Sequence, residues 1–197
     1  MHFPTERIAQ QMTFLAEADK LKTVLRQTLV ICADRQENTA EHSWHLILAA
    51  MVLSEYLAAP VNLFYVIKLL TVHDLVEIDA GDTFAYDAQA NTTKLEREQA
   101  AAERIFGLLP ADQASTLREL WQEFEADTSP EAQFANAGDR VQPFLQNSLT
   151  GGGTWKMHLV QKEQVLKRMQ PVKRTLPELW PWIEDTLESF YGNKESL

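Results

Sequence analysis

The stretch LLTVHDLVEIDAGD, residues 69–82, decides how the rest of the chain is interpreted. Its apolar residues recur at the spacing of a helix, and the doublet His73-Asp74 stands in their midst. Burying a carboxylate without a partner is expensive, so the doublet needs an explanation. Three explanations are open: a core histidine with satisfied ring nitrogens, an aspartate paired with an arginine, or a metal site.

The segments on either side of this stretch also have helical periodicity. Alternating β-branched residues bounded by Asn-Gly or Asp-Gly turns, which would indicate strands, are absent. We therefore predict an all-α helical bundle. Thr39 is predicted to cap the second helix and Asn62 the third. The predicted helices span residues 4–21, 40–57, 63–78, 94–109, 111–126, 130–149, 158–169 and 177–191.

One domain is expected for the 197 residues, because the chain shows no internal repeat and no shift in composition. The motifs and the candidate site residues lie between about residues 21 and 150. Residues 151–197 are expected to add C-terminal helices to the same domain, 1–197.

The composition excludes several classes of protein. A net charge of −10, without a local run of Lys or Arg, opposes binding to a nucleic-acid polymer. A small phosphorylated ligand remains possible, because a metal and one or two arginines create a local positive site. No segment predicts a membrane span or a signal peptide, so we expect a cytoplasmic protein. The single cysteine, Cys32, excludes an internal disulfide and is expected to be a buried thiol.

Other polar residues strengthen the metal interpretation of the doublet. Glu77 follows His73 by four residues and so projects from the same helix face, and Asp82 follows one turn later. His42 lies in the first turn of another predicted helix. Together with Asp139 these residues offer nitrogen and oxygen ligands, a set suited to first-row divalent ions. Helical spacing alone places Asp139 opposite the apolar stripe of its helix, so only a central helix with contacts on both sides would direct it into a site.

The order H…HD…D resembles that of the HD-domain hydrolases, and in particular the small branch of bacterial 5′-deoxynucleotidases. The motifs that carry the resemblance are R-x-E-N-x-x-E-H, residues 35–42, and H-D-x-x-E-x-x-x-G-D, residues 73–82. The resemblance implies an HD-type helical bundle that removes phosphate from a small nucleotide, with a (deoxy)ribonucleoside 5′-monophosphate as the expected substrate. It implies one divalent ion (Mn, Co, Fe, Ni, Zn or Mg) held by His42, His73, Asp74 and Asp139.

The resemblance also implies the remaining roles. Glu77 and Asp82 match the two carboxylates that act on the attacking water and the leaving group. Arg26 matches the arginine that grips the substrate phosphate, with Arg35 as a competitor whose ordinary role would be an ion pair with Glu37, Glu41 or a site carboxylate. The residue after Arg26 is Gln27, where the deoxynucleotidases commonly have an aromatic residue, so the sugar and base preference stays open.

Two other functions compete with hydrolysis. An HD-type oxygenase would need further histidines between the doublet and the final aspartate, and residues 75–138 contain none. A catalytically silent nucleotide sensor would be expected to lack a ligand or a site carboxylate. The resemblance further implies a homodimer, and the aromatic residues Trp155, Trp180, Trp182, Phe190 and Tyr191 offer either a partner-facing patch or cover for the core of their own chain.

Overall fold

The computed structural model of the protein describes residues 4–192. The ends of the predicted domain, residues 1–3 and 193–197, lie outside the described residues. This part of the chain contains four short 3-10 helices, at Asp19–Thr23, Ser54–Tyr56, Ala90–Thr92 and Pro177–Leu179, besides eleven α-helices and two strands. The α-helices and strands are α1 Glu6–Ala18, β1 Leu25–Leu29, β2 Gln36–Asn38, α2 Thr39–Leu53, α3 Leu63–Val72, α4 Glu77–Ala80, α5 Lys94–Phe106, α6 Ala111–Ala126, α7 Pro130–Leu149, α8 Gly153–Met157, α9 Lys162–Arg168, α10 Gln170–Thr175 and α11 Trp180–Tyr191.

The helical fold class is confirmed, but the expectation of no strand is wrong. β1 and β2 form an antiparallel hairpin in which Leu25 pairs with Asn38 and Leu29 with Gln36. The usual alternation is inverted, since Arg26 and Thr28 are buried while Leu25 is 57% exposed. Polar side chains point inward here because the inner face of the hairpin lines a pocket, and a search for apolar alternation misses such a strand. Cys32 lies in the hairpin loop and is exposed, contrary to expectation.

The second helix begins one residue earlier than predicted, at Thr39, and ends at Leu53 instead of Leu57. Asn38, not Thr39, is the N-cap: its side chain accepts a hydrogen bond from the Glu41 amide at 3.0 Å, and Glu41 Oε2 accepts one from the Asn38 amide at 3.1 Å. This reciprocal capping box satisfies two amides at the helix start. Thr39 is therefore the first helical residue, and its hydroxyl is free to turn toward the interior.

The helix predicted over residues 63–78 is interrupted at the doublet. α3 ends at Val72, and the next residues form a tighter turn with bonds from the Leu75 amide to the Val72 carbonyl and from the Glu77 amide to the Asp74 carbonyl. Such i to i+3 bonds turn the chain faster than an α-helix does. The turn redirects His73 and Asp74 relative to the apolar stripe of α3.

Helix α7 is the central helix of the bundle, which is the position that allows Asp139 to face a site. It packs against α2, α3, α6 and α10, and its buried residues lie all around the helix. Gly138 permits the close contact with α2, because a Cβ there would lie 3.2 Å from Leu46 Cδ1. Within residues 4–192, none of the helices combines the length and the apolar character that crossing a bilayer requires.

The C-terminal aromatic residues cover the core of their own chain. Phe144 on α7 contacts Trp155 and Trp182 at ring-centroid distances of 5.3 and 5.0 Å, and Trp155 contacts Phe190 at 5.5 Å. Trp155 is only 2% exposed and Trp180 8%. The interpretation of these residues as a partner-facing patch is therefore replaced by the alternative, packing within the chain.

Candidate metal centre and its pocket

The predicted ligands converge from three helical segments. His42 comes from the first turn of α2, His73 from the turn after α3, and Asp139 from the middle of α7. Each of the three offers one ligand atom, and these atoms lie within 4.8 Å of one another. Asp74, the fourth predicted ligand, lies beside them, with Oδ2 3.1 Å from His73 Nε2 and 3.7 Å from His42 Nε2.

Hydrogen bonds at the far side of each imidazole fix its orientation. His73 Nδ1 donates to the Leu70 carbonyl at 2.9 Å, and His42 Nδ1 donates to Gln142 Oε1 at 2.9 Å. When Nδ1 carries the proton of a neutral imidazole, Nε2 presents a lone pair. Both lone pairs therefore face the centre of the cluster, as metal-ligating histidines require.

The cluster fits a cation. His42 Nε2 lies 3.1 Å from Asp139 Oδ1, so that a lone pair faces a carboxylate oxygen. His73 Nε2 is buried and has no hydrogen-bond partner among the described residues. Lone pairs facing carboxylates repel one another unless a proton or a metal ion lies between them. Two imidazole nitrogens and two carboxylates suit a first-row divalent ion.

The electrostatics of the cluster follow from the same contacts. Burial opposes ionisation of Asp74, but His73, Arg26 and His42 outweigh it and lower the pKa of Asp74 to about 2. For Asp139 the contact with His42 likewise outweighs burial, and its pKa is well below the usual range. Both carboxylates are therefore in the ionised form that a metal needs.

Glu77 and Asp82 stand next to this cluster in a different electrostatic state. Burial, and then the charge of Asp74, raise the pKa of Glu77 well above its usual value. Burial also raises the pKa of Asp82, although Arg26 opposes the shift. Glu77 Oε2 accepts a hydrogen bond from the Thr39 hydroxyl at 2.9 Å. A carboxyl whose pKa is raised toward the working pH is suited to acid–base work.

The loop that carries Asp82 has two structural supports. Gly81 has φ +73°, a conformation that L side chains rarely adopt, and it ends the short helix α4. Arg97 on α5 holds the loop by donating to the Ala80 carbonyl and, at 2.8 Å, to the Thr83 hydroxyl. Asp82 is thereby brought to the pocket wall.

Arg26 and Arg35, the two competitors for the phosphate, occupy different environments. Arg26 is 8% exposed and its Nη1 lies 3.3 Å from Asp74 and 3.5 Å from Asp82. Arg35 is on the surface, where its two terminal nitrogens bind both oxygens of Glu41 at 2.8 Å. The ion pair considered for Arg35 is thus present, and of these two arginines Arg26 lines the pocket whereas Arg35 does not.

The pocket extends beyond the metal cluster in two directions. One side has the aromatic residues Phe84, Tyr86 and Trp155. The other side has Lys94 and Glu98, with Lys94 Nζ 3.4 Å from Glu98 Oε1. Burial raises the pKa of Glu98 to about 7. The lining residues that sequence reasoning missed are Thr28, Lys94, Glu98, Arg140 and Arg168, together with Glu37 and Gln142 behind His42.

Comparison with known proteins places the chain in a family. A family model described as HD domain matches residues 18–180, which is most of the chain. The chain belongs to the HD domain family. The resemblance stated from the two motifs is confirmed, and the candidate metal ligands lie within the part of this HD protein that the family model matches.

Named relatives of this HD protein include nucleotidases. Human 5'-deoxynucleotidase HDDC2 is 33% identical over 138 residues, 70% of this chain and 66% of the human protein. The Dictyostelium discoideum 5'-deoxynucleotidase HDDC2 is 25% identical over 145 residues, 71% of this chain and 76% of that protein. The chain thus spans about 66% of the length of the first curated relatives that it matches.

Solved structures share the fold. A predicted metal-dependent phosphohydrolase from Magnetospirillum magnetotacticum MS-1 has 46% sequence identity and a TM-score of 0.89, over 96% of this chain and 95% of that one. PH0347 from Pyrococcus horikoshii OT3 has 24% identity and a TM-score of 0.63, over 91% and 97%. The second likeness concerns the fold alone.

Proposed function

We propose that this HD protein is a metal-dependent phosphohydrolase that removes phosphate from a small nucleotide, a (deoxy)ribonucleoside 5′-monophosphate. The observation that carries the proposal is the pair of imidazoles whose Nε2 lone pairs face carboxylates, because a divalent cation resolves that arrangement. The nucleotide substrate is supported by the relatives named 5'-deoxynucleotidases.

The proposed ligands are His42, His73, Asp74 and Asp139, and the ion is Mn, Co, Fe, Ni, Zn or Mg. A divalent ion at this position supplies charge neutralisation at the phosphate and lowers the pKa of water. The preference among these ions is proposed to lie with the borderline transition metals, because two of the four ligands are imidazoles.

The protein's own groups then account for the remaining chemistry. Glu77 and Asp82 are proposed to move the protons: one, as the carboxylate, accepts a proton from the attacking water, and the other, as the carboxylic acid, gives a proton to the leaving oxygen, a role that the raised pKa of both groups favours. Arg26 is proposed to bind the phosphate oxygens. Its guanidinium is held between Asp74 and Asp82, so its donors are positioned before the substrate arrives.

The nucleoside is proposed to lie on the aromatic side of the pocket. Phe84 and Tyr86 are 5.3 Å apart, and Phe84 also contacts the imidazole of His158 at 4.4 Å. Gln27, which stands where the deoxynucleotidases commonly have an aromatic residue, lies beside this group with Oε1 3.2 Å from His158 Nε2. These rings offer a stacking surface for a base although residue 27 is not aromatic.

The protein is further proposed to act in the cytoplasm as a homodimer of one-domain chains. Four apolar side chains are exposed on one face of α2, namely Trp44, Leu48, Met51 and Val52, by 42–67%. A second copy of the chain is the proposed cover, since a two-fold contact pairs such a face with itself. Light scattering tests this: twice 22.5 kDa is expected, and Trp44→Glu should give the monomer mass.

The central experiment is a hydrolysis assay on protein stripped of metal and reloaded with each ion separately. Phosphate release from a panel of ribo- and deoxyribonucleoside monophosphates is expected with at least one ion and not without metal. Binding of metal and nucleotide without turnover in any combination would support the silent sensor instead. Absence of metal binding would overturn the proposal.

A further inference from the structure

Glu37, the last acidic residue before the cap of α2, has no part in the proposed reaction, yet its side chain is almost completely buried at 3% exposure. Its Oε1 accepts hydrogen bonds from Gln142 Nε2 at 2.9 Å and Gln146 Nε2 at 2.8 Å. Its Oε2 lies 3.4 Å from the Thr28 hydroxyl and 3.9 Å from Arg26 Nε. A carboxylate buried at this cost is expected to serve a purpose.

Gln142 links Glu37 to the metal cluster. It is 1% exposed, and its Oε1 accepts the hydrogen bond from His42 Nδ1 at 2.9 Å. Its Nε2 donates to Glu37 and lies 3.1 Å from His45 Nδ1. Both ends of the amide are therefore engaged, and the chain of contacts runs from Glu37 through Gln142 to His42.

The direction of this chain follows from hydrogen-bond chemistry. A carboxylate only accepts, whereas a primary amide donates at nitrogen and accepts at oxygen. Glu37 therefore requires the nitrogen of the Gln142 amide on its side, which leaves the oxygen for His42. An oxygen at that position requires a proton on His42 Nδ1, and a neutral ring then keeps its lone pair at Nε2.

We propose that Glu37 is a positioning residue that sets the tautomer of His42 through Gln142 and thereby keeps Nε2 open for a divalent cation. The inference rests on the metal site proposed above. If the amide of Gln142 were reversed, its NH₂ group would face Nδ1 and the proton would move to Nε2. The ligand position would then be closed by a hydrogen.

His73 provides an internal reference for this inference. Its Nδ1 donates to the Leu70 carbonyl, and a backbone carbonyl cannot reverse. The tautomer of His73 is therefore expected to be independent of residues 37 and 142. Any general disturbance of the site would affect both rings, whereas loss of the Glu37 contact should affect His42 alone.

The test exchanges the two groups. Glu37→Gln places an amide beside Gln142 and permits the reversed orientation. Gln142→Glu places two carboxylates in contact. The double variant E37Q/Q142E exchanges the two groups and therefore keeps the net charge. The amide at 37 can donate to the carboxylate at 142, and the other oxygen of that carboxylate can accept from His42. Gln146→Met is the matched control, since it removes the other amide bonded to Glu37 but leaves the contact with His42.

Two measurements are made on each variant. Nitrogen NMR of the metal-free protein, at about pH 9 so that imidazoles are neutral, reads which ring nitrogen carries the proton. Titration with Mn²⁺ or Co²⁺ gives the metal affinity. We expect E37Q to move the His42 proton to Nε2 and to weaken metal binding about 10–100-fold, the usual scale for a residue behind a ligand. The double variant should restore both, and Gln146→Met should change neither.

An unchanged His42 tautomer in E37Q, or a double variant no better than either single one, would overturn the inference. Should E37Q not fold, Gln142→Met removes the acceptor with Glu37 in place, and His42 should then populate both tautomers. A wild-type protein that binds no metal would contradict the proposed function, while the NMR result on metal-free protein would still decide the role of Glu37.

Discussion

The carboxylates that line the pocket differ in the charged groups that face them. Asp74 and Asp139 face two imidazoles and Arg26, and their pKa values are lowered. Glu98, at the other end, is buried beside Lys94, and burial raises its pKa to about 7 although Lys94 opposes the shift. Burial alone therefore does not determine whether a carboxylate in this pocket is ionised. The positive groups that face a carboxylate determine whether it is ionised. They distinguish the end of the pocket with the candidate metal ligands, the metal end, from the end with Glu98 and Lys94, the far end.

The largest effect is expected at the metal end. His73→Ala removes one of the two imidazole ligands, so the purified variant should contain no stoichiometric metal and turnover should fall by about 10³-fold or more. Elemental analysis and the phosphate-release assay measure this. Thr71→Ala, at an exposed position near the end of α3 and two residues before His73, is the control. If His73→Ala kept its metal and its activity, His73 would not be a metal ligand, and the proposed difference between the two ends of the pocket would be wrong.

The next effect separates binding of metal from catalysis. Glu77→Ala should lower kcat by about 10²-fold, the scale of positioned acid–base catalysis, while metal content stays at the wild-type level. Glu77 is suited to this because burial and Asp74 keep its pKa high without making it part of the ligand cluster. Asp82→Asn should be measured beside it. Full activity in Glu77→Ala would assign the proton transfer to Asp82.

A smaller effect is expected from the phosphate contact. Arg26→Ala should lower kcat/KM by about 10–100-fold, mainly through KM, because charge-assisted hydrogen bonds to the phosphate are lost. Arg35→Ala is the matched control, since that guanidinium binds Glu41 at the surface and should leave KM unchanged. Steady-state kinetics on both variants decide between them. The reverse pattern would transfer the phosphate contact to Arg35.

The sequence predicted the helical class because apolar periodicity is strong in α3 and α7, and the resemblance implied which residues would meet, including Asp139, which lies outside the two motifs. It missed the hairpin because Arg26 and Thr28 are the buried residues of β1, which inverts the usual alternation. The tight turn at the doublet was missed for a related reason. Periodicity continues through Ile78, so no local signal ends the helix at Val72.

The support behind the ligands was harder to predict than the ligands themselves. Gln142 follows Asp139 by three residues and therefore shares its helix face, which is a usable signal for a polar contact. Its partner Glu37 is 105 residues away, and nothing in the spacing pairs the two. Glu98 offered no signal either, because an acidic residue in a charged helix is most simply exposed. Long-range packing buries it.

The smallest effect is expected at the far end, where Glu98 Oε2 is buried without a hydrogen-bond partner among the described residues. Burial raises its pKa from 4.5 to about 7. A raised pKa favours the native state when the group is protonated, so this stability is full below pH 4.5 and is lost as the pH rises toward 7.

Glu98→Gln cannot ionise and should escape that loss. We expect it to be more stable than wild type at pH 8 by on the order of 2 kcal/mol, with little difference at pH 4.5. Urea unfolding at both pH values measures this, with Glu96→Gln, an exposed position on the same helix, as the control for removal of one carboxylate. A variant less stable than wild type at pH 8 would mean that the ion pair with Lys94 outweighs the burial of Glu98, and the two ends of the pocket would then be alike.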